Sequence, residues 1–91
     1  MLLQRLKDPD YAVDYLSEVL QNETQEAFLI ALKNVIDART ESVADLAEEI
    51  GVTRQCLYKM LSEEGNPRLS TLSQLLKSLG MKMNISGDAA A

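Results

Sequence analysis

The 91-residue chain contains no histidine and no tryptophan, one cysteine, two prolines and four glycines. Without histidine it lacks the commonest general base and the commonest metal ligand, so most nucleophilic triads and zinc sites are excluded. Cys56 stands alone, which rules out an intrachain disulfide or a Cys-based zinc site and fits a reducing compartment. The start, MLLQRLKDPD, has Leu2 and Leu3 but no apolar run long enough for a signal peptide or a membrane span. A cytoplasmic protein away from membranes is expected. Aromatics make up 4% of the chain against 46% hydrophobic residues, so the core has to come from Leu, Ile, Val, Ala and Met. That composition favours helices over a β-sandwich. The length allows one small core, whose marginal burial a partner subunit would help.

The net charge of −5 is unevenly spread. Residues 1–50 hold four bases and eleven acids, a net −7. Residues 51–87 reverse the sign, with Arg54, Lys59, Arg68, Lys77 and Lys82 against Glu63 and Glu64, a net +3, and Asp88 completes the balance. Two surfaces for different partners would explain this, as would a simple solvated acidic face. The acids are spread along helix faces rather than paired for proton transfer, so no enzyme, metal, cofactor or small-molecule substrate is expected.

Asp8-Pro9 opens a helix, with a carboxylate at the cap and a proline where its missing N–H costs nothing. Tyr11, Ala12, Tyr15, Leu16, Val19 and Leu20 form its apolar stripe. A second helix starts at Asn22 or Thr24 and carries Phe28, Ala31, Leu32, Val35 and Ile36. Ser42 caps a third, short one, with Leu46, Ala47 and Ile50 inward and Gly51 at its end. Thr53 caps a fourth, whose buried side is Leu57, Met60 and Leu61. Gly65, Asn66 and Pro67 enforce a loop, and Ser70 restarts a helix with Leu72, Leu75, Leu76 and Leu79 on its core face. MKMNIS alternates apolar and polar residues as a short strand does. The expected architecture is all-α with a terminal strand: one domain over 1–87, its motif at 43–62, and a disordered tail at 88–91.

The pair VADLAEEI and RQCLYKMLS around the turn GVT has the pattern of a helix-turn-helix. Ala47 is small where two helices would cross, Gly51 supplies the turn, and Val52 and Leu57 fill the space between. Thr53, Arg54, Gln55, Tyr58 and Lys59 then point outward. On a helix entering a major groove, Arg can contact guanine with two hydrogen bonds and Gln adenine, while Lys and Tyr reach phosphates. Asn66, Arg68 and the helix start at Ser70 are further candidates for the phosphate backbone, as is the start at Ser42. An ordinary solvated face is the plain alternative for Arg54, Gln55 and Lys59, and packing against the last helix is the alternative for Tyr58. Cys56 is expected to be a small, half-buried side chain. A lone strand leaves its N–H and C=O groups unpaired, so Met81, Met83 and Ile85 are candidates for pairing with a second copy in a homodimer.

From Leu6 to Ile85 the chain resembles the antidote proteins of bacterial addiction modules, HigA-type antitoxins on a λ-repressor/Cro-like helix-turn-helix. LKDP followed by YAVDYL, and LYKMLS followed by EGNPRLSTL, carry the resemblance. It implies a five-helix fold, a homodimer on a palindromic operator in double-stranded DNA, and a cognate toxin, commonly a RelE-like ribonuclease. By position, Thr53–Leu61 becomes the recognition helix. Asp45, Glu48 and Glu49 depart from the basic residues usual on the first helix of the motif, and each repels phosphate. A protein-interaction module with a silent motif, or a Cro-like repressor without a toxin, are the alternatives.

Overall fold

The structure, a computed structural model, describes residues 2–87; the tail expected to be disordered at 88–91 lies outside the described residues. The helices are α1 (Leu2–Arg5), α2 (Pro9–Asn22), α3 (Gln25–Arg39), α4 (Val43–Glu49), α5 (Arg54–Met60) and α6 (Leu69–Ser78). None is long and apolar enough to cross a membrane among the described residues.

Four of these helices begin where a short polar side chain can satisfy a free N–H. Asp8 accepts from the Asp10 N–H at 2.9 Å, Thr24 from Ala27 at 3.1 Å, Ser42 from Asp45 at 3.2 Å and Thr53 from Cys56 at 3.0 Å. Each cap contributes about 1 kcal/mol. Helix α3 is the centre of the core, burying Phe28, Leu29, Ala31, Leu32, Val35 and Ile36. Leu6, Ala12 and Leu16 join it from the N-terminal side of the sequence, and Leu46, Ala47, Leu57, Leu61, Leu75, Leu76 and Leu79 from the later helices. Full burial of one such leucine contributes roughly 1.5–3 kcal/mol. The guanidinium of Arg39 donates to the Lys7 carbonyl at 2.9 Å, which pins the α1–α2 connection to the end of α3.

Several expectations from the sequence need correction. The described residues form six helices rather than five, because Leu2–Arg5 makes a single turn ahead of the Asp8-Pro9 start. The α2 stripe is narrower than its spacing implies: Ala12 and Leu16 are buried, but Tyr11 stays 37% and Leu20 62% exposed. This helix packs mainly against α3, so only the residues facing α3 are covered. Ser70 does not start α6. Arg68 arrives already extended and its carbonyl accepts from the Leu72 N–H at 3.0 Å, so the helical ladder begins two residues earlier. The strand expected at MKMNIS is not formed among the described residues. A strand exists only as one side of a ladder, and a single chain provides no second side for this segment.

Candidate nucleic-acid interface

Helix α4 ends in a way that sets the direction of α5. Gly51 has φ +85°, a left-handed conformation that side chains with a Cβ rarely adopt. Its N–H donates to the Glu48 carbonyl at 3.0 Å, and the Val52 N–H donates to Ala47 at 2.9 Å. These two bonds close the helix by the Schellman arrangement. The chain then extends at Thr53, whose hydroxyl caps α5. Leu57 and Leu61 are fully buried and Met60 partly so. Those three anchors fix which side of α5 faces solvent.

Thr53, Arg54, Gln55 and Lys59 are exposed, as the sequence suggested. Cys56 is exposed too, not half-buried, because each helical residue is turned by about 100° from the next, so burial of the adjacent Leu57 leaves Cys56 uncovered. Beyond α5, Asn66, Arg68 and Ser70 are exposed, whereas Ser42 is half-buried with its oxygen engaged as the α4 cap. Asp45, Glu48 and Glu49 of α4 are exposed as well, so acids and bases share this part of the surface. Two shallow clefts are lined by residues around Arg39, Thr40 and Glu41, and α5 contributes to neither. The α5 face offers protruding side chains rather than a receiving pocket.

Tyr58 behaves differently from its neighbours. It is half-buried, and its hydroxyl donates to Asp37 Oδ1 at 2.7 Å, reaching back to α3 instead of outward. Asp37 Oδ2 accepts from Lys33 Nζ at 3.1 Å. Over the Tyr58 ring lie Lys33 Nζ, 5.2 Å from the centroid, and Arg54 Cζ, 5.5 Å from it. The hydrogen bond to Asp37, partial burial and the carboxylate charge push the Tyr58 phenol above its usual pKa, with Arg54 acting in the opposite direction. Asp37 and Lys33 went unnoticed in the sequence. The available signal was an acid in the last turn of a helix, where the dipole disfavours it.

A family model described as "Probable addiction module antidote protein" matches residues 2–87. A protein of Haemophilus influenzae, described as an uncharacterized protein, is 32% identical over 93 residues, spanning 92% of this chain and 94% of its own length. No solved structure matches.

Proposed function

The chain belongs to the family of probable addiction module antidote proteins, and from that premise we propose that it is the antitoxin of a type II toxin–antitoxin pair. As a homodimer it binds an operator in its own promoter through the α4–α5 helix-turn-helix, represses the operon, and neutralises a RelE-like toxin by direct contact. One observation carries the DNA-binding part: Thr53, Arg54, Gln55 and Lys59 stand exposed on a helix whose opposite side is locked into the core. Asn66, Arg68, Ser70 and the partly covered Ser42 serve the phosphate backbone, which fixes register without reading sequence. The test is a gel shift with the duplex upstream of the native gene, at low and high salt, comparing the wild type with Arg54→Ala/Gln55→Ala. A second reading, an interaction module with a silent motif, is favoured by the exposed acids of α4. Absence of any shift at low salt would decide for it.

The homodimer is supported by uncovered apolar side chains after α6: Met83 is 47% and Ile85 97% exposed, while Met81 packs partly on the core. A second copy would remove them from water and set two recognition helices roughly 34 Å apart, one turn of DNA. Met83→Glu/Ile85→Glu is expected to sediment as a monomer and to unfold at an unchanged temperature when dilute. A dimer that persists would move the interface elsewhere.

For the toxin, the acidic side of α2 is the proposed contact. Asp10, Asp14 and Glu18 recur every fourth residue and are all exposed, beside Val13 at 43% and Leu20 at 62% exposure. A ribonuclease that grips RNA presents basic surface, and complementary charge speeds and orients such docking. Removing residues 1–38 would also delete much of the core, so charge reversal is the sounder probe. Asp10→Lys/Asp14→Lys/Glu18→Lys should keep its helicity and lose co-purification with the product of the adjacent gene. Undiminished co-purification would exclude this face.

A further inference from the structure

Asp37 sits where a helix least favours a carboxylate. It lies in the last turn of α3, among carbonyls whose aligned dipoles are negative. Lys33 pairs with it one turn earlier at 3.1 Å, but base-before-acid is the weaker order for such a pair, and a solvent-facing pair stabilises little. An acid bonded to the proposed recognition helix also repels phosphate. Both considerations work against an acid here, so its contacts have to explain it.

Those contacts lead to Arg54. Asp37 accepts the Tyr58 hydroxyl across the boundary between α3 and α5, at 2.7 Å. Arg54 and Tyr58 are four residues apart on α5, so they share one side of the helix. The guanidinium carbon lies 5.5 Å from the ring centroid, within the range of a cation–π contact. The carboxylate holds the hydroxyl, the hydroxyl holds the ring, and the ring holds the guanidinium. A long side chain on an exposed first turn otherwise samples many rotamers, and binding has to freeze them. We propose that Asp37 is a positioning residue for sequence recognition: acting through Tyr58, it pre-sets Arg54 to read a base edge, at the expense of general affinity for phosphate.

The proposal rests on the operator-binding reading, and its test separates the two. Fluorescence anisotropy on the full chain compares a labelled duplex from upstream of the native gene with a shuffled duplex of the same composition. The ratio of the two affinities is the readout. Asp37→Ala should tighten binding to the shuffled duplex, because a negative charge is gone, and lower the ratio by about fivefold to tenfold, the low end of a whole base contact. Tyr58→Phe, which keeps the ring and loses the hydroxyl, should lower the ratio similarly and stands in if Asp37→Ala does not fold. Asp37→Asn retains an acceptor for the hydroxyl, so it should tighten both duplexes and keep the ratio. In an Arg54→Ala background, Asp37→Ala should leave the ratio where it was. A merely structural role would act alike in both backgrounds. The proposal is overturned if Asp37→Ala and Tyr58→Phe leave the ratio unchanged, if the loss persists without Arg54, or if Asp37→Asn loses as much as Asp37→Ala. A wild-type protein indifferent to sequence overturns the operator reading and this assignment together; a selective wild type with an indifferent Asp37 overturns the assignment alone.

Discussion

Arg54→Ala combined with Gln55→Ala is expected to weaken binding to the upstream duplex by between about thirtyfold and ten-thousandfold for each half-site, with a fall in the unfolding temperature of no more than about 8 °C. The range follows from two bidentate base contacts worth about 1–3 kcal/mol each, at 1.4 kcal/mol for every factor of ten. Stability should nearly hold, because both side chains are exposed, alanine favours a helix at least as well as either, and the exposed contact of Arg54 with the Tyr58 ring contributes only about 0.5–1 kcal/mol. The salt dependence carries a second signature. Losing Arg54 removes one cation per subunit, so if it touches phosphate the slope of log affinity against log salt falls by about 0.9 per subunit. Gln55 carries no charge and leaves that slope alone. An equal loss on a shuffled duplex would mean that these side chains hold the backbone rather than read bases, and the assignment of α5 as the reading element would then fail.

Gly65→Ala is expected to destabilise the fold by at least about 3 kcal/mol, the upper part of the range for forcing extra volume into packed structure. A Cβ at this position would overlap the carbonyl carbon and oxygen of Met60, the last residue of α5. Both are backbone atoms, so no side-chain rotation makes room. Either α5 shifts or the turn after it opens, and the Gly65 N–H loses its 2.9 Å bond to the Ser62 carbonyl. For a domain of this size the unfolding midpoint should drop by at least about 12 °C in a calorimetric scan. Two controls separate crowding from loss of glycine as such. Gly51→Ala meets no atoms but strains a positive φ, and should cost about 1–2 kcal/mol; Gly87→Ala meets nothing and should be neutral. A Gly65→Ala protein with a wild-type midpoint would mean that the chain leaves α5 along another path.

The site was legible in unequal parts. Gly51, the cap at Thr53 and the anchors Leu57, Met60 and Leu61 follow from local rules, and with them the exposure of Arg54, Gln55 and Lys59. Tyr58 did not, because its spacing on α5 is compatible with solvent or with a neighbouring helix; the last helix was the expected neighbour, whereas its partner Asp37 lies on α3, 21 residues away in the chain. Ser70 looked like a cap by residue type, but Arg68 had already entered the extended cap conformation. MKMNIS shows how far a period-two pattern can mislead: alternation describes what a strand would need, while the ladder that makes one has to come from elsewhere.

What the sequence determined by itself, apart from the family, is what depends on neighbours within about one helical turn: the caps at Asp8, Ser42 and Thr53, the apolar side of α3 and the break at Gly51. Tertiary structure alone decided which apolar residues of α2 stay wet, that the segment after α6 stands without a ladder, and that Tyr58 turns back to Asp37. The division has a physical reason. Capping and helical periodicity are set by bonds and contacts three or four residues apart, whereas burial and a hydrogen bond between helices depend on where distant segments come to rest.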